Sequence, residues 1–264
     1  MCKLGNRKYM SNNKTFESGS KKWEEINCPV CGGSRFDPLF EKNGEPFVRC
    51  HECDLMMINP RPLYDHVIET YDDSYSDFYI KKGNKKIARF NRWAKTVQAL
   101  GAKTGRWLDI GCSAGFVVKV AQDLGYDAYG VDVESHGIDF ARNTLGLKNV
   151  SQGMLEDQNY PDEFFDVISI YDVIEHVPDL NKFVTEISRI LTKEGVLDIR
   201  TPDEGHWAVP KDRSKWNAVI PSEHLYYFNS KTLTMLLQQH GLKMIKHKFN
   251  FKPTLKMYFS YSGK

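Results

Sequence analysis

No stretch of the chain approaches the ~18 consecutive apolar residues of a membrane-spanning helix, and its first residues lack the apolar core of a secretory signal. A surplus of one charge is missing as well: 36 basic residues against 34 acidic ones leave a net charge of +2. Dedicated nucleic-acid binders usually carry a stronger basic excess, so nucleic acid is disfavoured as a partner. Together these absences predict a cytoplasmic protein with no membrane partner. Cysteine is scarce, six in 264 residues, and its placement argues against a disulfide framework. Four fall in two Cys-x-x-Cys pairs, while Cys2 and Cys112 are left over, which a secreted protein would avoid. What is present suffices for a full core, since 41% of the residues are hydrophobic.

Residues 1–26 are polar, rich in Lys, Asn and Ser, and show no hydrophobic period, so they read as a flexible arm. Residues 27–59 hold both cysteine pairs, with turn-forming Gly32, Gly33, Asn43 and Gly44 between them. So short a segment has no room for its own core and needs a staple. Cys28-Pro-Val-Cys31 and Cys50-His-Glu-Cys53 stand eighteen residues apart. Two knuckles at that spacing predict a zinc ribbon whose ion is held by Cys28, Cys31, Cys50 and Cys53. Four thiolates leave no position for water, which makes the ion structural. His51 is a substitute ligand in principle, but it sits inside a complete pair. Pro60 and Pro62 open a connector over residues 60–83, and the main domain runs over 84–264.

In that domain Ile87, Phe90, Ala94, Val97 and Leu100 recur at helical spacing. From Arg106 onwards strands and helices alternate. Strands are expected at 106–110, 127–132, 165–171 and 195–201, with a weaker one near 148–151. Helices are expected near 116–124, 135–145 and 179–191. The last has Leu180, Phe183, Val184, Ile187 and Ile190 on one face, Asp179 to cap its start and Gly195 beyond its end. A helix over 230–240 and strand-like runs at 242–250 and 254–261 complete the chain. This alternation predicts an α/β, Rossmann-like fold, a parallel sheet covered by helices on both faces.

The segment Asp109-Ile-Gly111-Cys112-Ser113-Ala-Gly115 joins the first strand of that sheet to a helix. A ligand there sits at the carboxyl ends of the strands, where open α/β sheets bind ligands. A dinucleotide loop would need glycine at positions 113 and 116, which hold Ser113 and Phe116, so nicotinamide and flavin cofactors are excluded. A P-loop is excluded too, because no Gly-Lys-Ser/Thr follows. About twenty residues on, Asp132 ends the next strand, where a carboxylate can accept hydrogen bonds from ribose hydroxyls.

This order of Asp109, Gly111, Gly115 and Asp132 resembles the class I S-adenosylmethionine-dependent methyltransferases. Gly153-Met154-Leu155-Glu156 falls where that family places adenine contacts, and Tyr171-Asp-Val-Ile-Glu-His-Val-Pro178 resembles its fourth motif. The resemblance spans residues 84–250. It departs at Ser113, where glycine is commoner, and at Met154, often an aspartate. It implies a seven-stranded, mainly parallel sheet ending in an antiparallel hairpin, with S-adenosylmethionine as cofactor. It further implies Asp109, Gly111, Cys112, Ser113, Gly115, Asp132, Val133, Met154, Leu155 and Tyr171 as cofactor-binding residues, Tyr171 nearest the sulfonium. The run from Cys50 to Pro62 is similar to the zinc module preceding some small-molecule and sugar methyltransferases. There a tyrosine-rich segment follows, matched by Tyr71, Tyr75 and Tyr79, which would roof the substrate pocket as a lid or pack on the core.

Methyl transfer from a sulfonium is an in-line displacement with an activated donor, so positioning and water exclusion supply much of the catalysis. A base is needed where the acceptor must lose a proton. Glu223 and His224, after the fifth strand, are the first candidates: His224 titrates near neutrality and Glu223 can assist it. The same pair would equally serve to anchor its loop. His176, beside Glu175, is a third candidate, better suited to a structural or cofactor-side role.

From Gly241 to Lys264 there are lysines and aromatics but no acidic residue. Such a segment attracts a phosphate-bearing substrate, or is simply a solvated strand pair. The chain ends soon after it, which leaves room for a further C-terminal substrate domain. The expected function is methylation of a small molecule, with a sugar or sugar nucleotide suggested by resemblance. An RNA methyltransferase and a non-catalytic ribbon protein stand as alternatives. Oligomeric state is not legible.

Overall fold

The computed structural model describes residues 14–18, 21–63 and 80–261. In chain order the strands are β1 (Lys14–Ser18), β2 (Lys21–Glu25), β3 (Phe36–Lys42), β4 (Glu45–Cys50), β5 (Met56–Ile58) and β6 (Arg61–Pro62). Then come α1 (Gly83–Ala99), β7 (Arg106–Ile110), α2 (Phe116–Asp123), β8 (Asp127–Asp132), α3 (Ser135–Asn143) and β9 (Val150–Gln152). The chain continues through β10 (Phe165–Tyr171), α4 (Leu180–Ile190), β11 (Leu191–Pro202), β12 (Tyr226–Tyr227), α5 (Ser230–Gln239), β13 (Leu242–His247) and β14 (Thr254–Tyr261).

The main sheet has seven strands in the order β13-β14-β11-β10-β7-β8-β9. The five from β7 to β11 run parallel, while β14 lies antiparallel to both β11 and β13. Strand alternation decides which side chains meet which helices. Trp107, Val167, Val196 and Tyr258 pack on one face with Phe90 and Val97 of α1, Val117 and Val120 of α2 and Ile138 of α3. Leu108, Ile168, Leu197 and Phe259 point the other way, onto Phe183 and Ile187 of α4 and Leu233 and Leu237 of α5. The Asp179 carboxylate accepts from the Lys182 amide at 3.0 Å and starts α4 as its sequence implied. At its far end the structure departs from expectation. β11 follows α4 directly at Leu191, so Gly195 lies within the strand and not in a turn before it.

The cysteine module is tied into this domain at three levels. Its sheet has the order β12-β5-β4-β3, so a two-residue strand from the distant chain completes it, Tyr226 opposite Met57 and Tyr227 opposite Met56. Its buried Cys28, Val30, Leu55 and Met57 belong to the same core as α4 and α5. On its other face Phe47, Met56 and Ile58 pack with Val209, Trp216 and Val219 from the long β11–β12 connection. Polar contacts lock the join. Asn181 of α4 donates to the Pro29 carbonyl at 3.1 Å, and Gln239 of α5 donates to that of Val30.

Part of the segment expected as a flexible arm over residues 1–26 lies among the described residues. β1 and β2 form a hairpin within it, and β2 pairs with β6, Trp23 opposite Pro62 and Glu24 opposite Arg61. Here Arg61 supplies what a polar composition hid: its guanidinium bonds Glu24 at 2.8 Å, the Pro178 carbonyl at 2.8 Å and the Tyr226 hydroxyl. Tyr71, Tyr75 and Tyr79, with most of the 60–83 connector, lie outside the described residues.

Candidate functional site

β7 lies between β8 and β10, the place where the chain stops adding strands on one side and begins on the other. A crevice opens there by topology. It forms a cavity of about 850 Å³. The loop after β7 borders it and is built from left-handed residues: Gly111 at φ 73°, Ser113 at φ 44° and Gly115 at φ 76°. A side chain at Gly111 would place its Cβ 2.2 Å from Val173 Cγ2, so the close approach of this loop to the turn after β10 requires glycine. Ser113, in glycine's usual place, nevertheless adopts the glycine-like conformation.

Of the residues expected to bind cofactor, Gly111, Ser113, Asp132, Val133, Met154, Leu155 and Tyr171 line the cavity. The Asp132 carboxylate accepts from the Ser113 amide at 2.7 Å and the Glu134 amide at 2.9 Å, which fixes both its oxygens at the tip of β8. Burial pushes its pKa up, and those amides oppose the shift. Three expected residues stay out of the lining. Asp109 turns inside the sheet, where the Ser169 hydroxyl donates to it at 2.5 Å and itself accepts from the Trp107 indole at 2.9 Å. Burial raises the Asp109 pKa well above its ordinary value. Cys112 is buried on the opposite face, its sulfur facing Gly130 and Val118. Gly115 makes the turn into α2 against Ala141 and Leu147. These three shape the loop without lining the cavity.

Other lining residues were not singled out as cofactor-binding in the sequence. Glu156 borders the cavity two residues after Met154, and its buried Oε2 has no hydrogen-bond partner among the described residues. The missing aspartate at Met154 is therefore matched by a carboxylate close by. The signal was the string Gly-Met-Leu-Glu itself. From α1, Lys86, Arg89, Phe90 and Trp93 also face the cavity. Burial, reinforced by the Arg89 charge, holds the Lys86 pKa down at about 7. Periodicity marked only the core side of this helix, so its second role was invisible. Trp93 meets the Tyr171 ring edge-on at 4.9 Å, and the Arg200 guanidinium lies 3.6 Å over Trp93. The Tyr171 hydroxyl donates to Asp198 at 2.7 Å, so the end of β10 is held by a buried aromatic and ionic network.

The candidate bases gather at one end of the cavity. Glu175 and His176 come from the helical turn 174–176 after β10, and Glu223 and His224 from the connection before β12. The His176 and His224 rings lie 4.6 Å apart and nearly perpendicular. Burial holds His176 down at about 4, and burial followed by the neighbouring His176 holds His224 at about 3. Both are therefore neutral at neutral pH and weaker bases than an ordinary histidine, so His224 does not titrate near neutrality, contrary to expectation. Burial raises Glu223 and raises Glu175 well above its ordinary value. The cysteine module positions this end. Glu45 of β4 accepts from the Ser222 amide at 2.6 Å, and Lys42 donates to the Val219 carbonyl at 2.8 Å.

The four module cysteines converge as expected, their sulfurs all within 4.8 Å of one another. Cys28 and Cys53 are 3.4 Å apart, as are Cys31 and Cys50. Tetrahedral zinc with ~2.3 Å bonds to sulfur needs separations of about 3.8 Å, so the cluster fits that ion. The turns are zinc-knuckle-like: Gly32 donates to the Cys28 carbonyl at 2.8 Å and Asp54 to that of Cys50 at 2.9 Å. The hydrogen bond between Cys28 and Cys53 lowers Cys53 to about 6 and raises Cys28 beyond the thiol range. His51 points away, toward exposed Asp37 at 3.3 Å.

A seven-stranded sheet in this order, with a glycine loop after its first parallel strand and an acid ending the second, defines the class I S-adenosylmethionine-dependent methyltransferase fold. The chain belongs to the methyltransferase-domain family, whose family model matches residues 86–247. It is 34% identical over 106 residues to a ubiquinone biosynthesis O-methyltransferase of Pelagibacter ubique, covering 38% of this chain and 42% of that protein. It is 26% identical over 137 residues to a probable S-adenosylmethionine-dependent methyltransferase of Mycolicibacterium smegmatis, covering 52% of this chain and 51% of the relative. The chain thus spans about half the length of these curated relatives. Among solved structures, a TehB-like methyltransferase from Corynebacterium glutamicum superposes with a TM-score of 0.53 at 17% identity, over 72% of this chain and 100% of that one. That likeness is one of fold.

Proposed function

We propose that this protein transfers the methyl group of S-adenosylmethionine to an oxygen of a small-molecule acceptor held in the 850 Å³ cavity. The observation that carries the reading is the arrangement at the cofactor end. Asp132 is locked at the β8 tip for the ribose hydroxyls. Val133, Met154 and Leu155 give an apolar slot for adenine, and Glu156 stands ready to accept from its amino group. The loop from Gly111 to Ser113 receives the methionine part, and Tyr171 sits nearest the sulfonium. Bound S-adenosylmethionine supplies an activated methyl carbon. The chain's own residues align the acceptor, exclude water and take up any proton the acceptor carries in the cluster of Glu223, His224 and His176.

The oxygen acceptor is favoured because relatives at 34% and 23% identity are named as O-methyltransferases of ubiquinone biosynthesis. The sugar expectation rests on the ribbon resemblance alone. Lys86 and Arg89 at the cavity edge support an acceptor carrying an anionic group such as phosphate. The four cysteines hold structural zinc, with no open position for chemistry. No described helix is long and apolar enough to cross a membrane, and a cytoplasmic setting suits four unoxidised thiols.

Calorimetric titration with S-adenosylmethionine, followed by a screen of hydroxylated acceptors with product mass measured, tests this reading. Binding that is lost in Asp132→Ala, and a gain of one methyl group, are expected. Absence of binding overturns it.

A further inference from the structure

The polar end of the cavity gathers more than a base. Glu175, His176 and His224 each bring one ligand atom, and these lie within 4.8 Å of one another. The residues come from two separate connections, the turn after β10 and the loop before β12. The packing of these loops therefore made the cluster, and sequence neighbourhood did not. Two of these residues carry a buried, unsatisfied atom. Glu175 is 1% exposed, and while its Oε2 accepts from the Thr201 hydroxyl at 3.0 Å, its Oε1 has no partner among the described residues. His224 is 8% exposed and its Nδ1 likewise has none. Leaving such groups unpaired costs about 1–3 kcal/mol each, so two orphans on one small patch point to a missing partner between them.

The surroundings of the two rings are those of metal-binding histidines. A backbone carbonyl bonds each ring, that of Glu223 at His176 and that of Ala218 at His224. Such a carbonyl takes the N–H of one ring nitrogen, orients the imidazole and leaves the other nitrogen to a cation.

We propose that Glu175, His176 and His224 form a divalent-cation site inside the methyl-transfer cavity. Two imidazole nitrogens and one carboxylate oxygen suit zinc, manganese, iron or cobalt over magnesium or calcium. Unlike the closed four-cysteine cluster, this site has an open side, because all three residues line the cavity. Its role there rests on the methyl-transfer reading. An acceptor hydroxyl oxygen occupies the open position and gives its proton to the Glu223 carboxylate. The oxygen then forms its bond to the methyl carbon as the carbon–sulfur bond breaks, the electron pair staying on sulfur as the neutral thioether. His224 thus acts as a ligand, and Glu223 receives the proton.

The test uses the full chain with its four-cysteine site already filled by one equivalent of zinc, measured by elemental analysis. Cobalt(II) alone is then titrated, followed by calorimetry and visible absorption. The expected result is a second equivalent with nitrogen and oxygen ligation and no new thiolate charge-transfer band. His224→Gln and the milder His176→Gln should each weaken it at least ~10-fold, with unfolding temperature checked for both. No second equivalent, or one indifferent to both substitutions, overturns the proposal. A parallel titration of the unsubstituted chain with S-adenosylmethionine keeps the two readings apart. Cofactor binding without cobalt binding sinks the metal site alone, while cobalt binding without cofactor binding sinks the methyl-transfer reading and leaves the site standing.

Discussion

The Ser113 amide donates to the Asp132 carboxylate at 2.7 Å, joining the glycine loop to the tip of the neighbouring strand. The same carboxylate holds the Glu134 amide at 2.9 Å, so one acid ties the loop after β7 to the turn after β8. Asp132→Ala orphans two amides at once. A loss of about 2 kcal/mol in stability and at least a ~10-fold weaker S-adenosylmethionine affinity are expected. Asp132→Asn keeps one carbonyl acceptor and should lie between. Denaturant unfolding and calorimetry check both.

Ser113 has φ 44°, a conformation that costs a side-chain-bearing residue about 1–2 kcal/mol. Ser113→Gly should leave cofactor affinity intact and stability within about 1 kcal/mol, since relief of strain offsets the added freedom of the unfolded chain. Ser113→Val, β-branched, should lose about 2 kcal/mol and bind cofactor poorly. Equal behaviour of the two variants would show that the loop adopts another conformation.

Removing the zinc proposed for the four cysteines should reach beyond their module. β12 pairs with β5, and Glu45 and Lys42 hold the connection that carries His224. Chelation, or Cys53→Ser, is therefore expected to lower the unfolding temperature of the whole chain in one transition. Methyl transfer should be lost together with the near-ultraviolet signal of buried Trp216. Two separate transitions would show the module to be independent.

Lys86 sets a pH dependence. Its folded pKa is about 7, against 10.5 for the ordinary side chain. Between those values the unfolded chain keeps the proton that the folded chain has released. By linkage this group's contribution to stability rises with pH across that window. The stability of the native chain relative to Lys86→Met should therefore grow between pH 7 and pH 10. Urea unfolding at several pH values measures it, and a constant or shrinking difference contradicts the assignment.

Much of the Asp132 end of the cavity was legible because it is local. Asp109, Gly111 and Ser113 are neighbours in the chain, and Asp132 ends the next strand, so alternation of strand and helix placed them before any contact was known. Asp109, Cys112 and Gly115, from the same loop, are not among the residues lining the cavity. Motif position says that a residue belongs to a loop, whereas strand alternation and turn geometry decide which side it faces.

The order Asp109 to Gly115, the strand periods and the two cysteine pairs were determined by the sequence by itself. Each is a pattern over a few residues with its own physical signature, a left-handed turn, a buried face or a paired thiol. Tertiary structure alone decided the rest. It brought β12, two residues long and without any period, onto the cysteine module. It turned Lys86 and Arg89 from a helix surface into a cavity edge. It also closed Glu175 and His176 upon His224, nearly fifty residues away in the chain. Such meetings depend on how whole layers pack, because burial is shared across the core and not stored in any one segment.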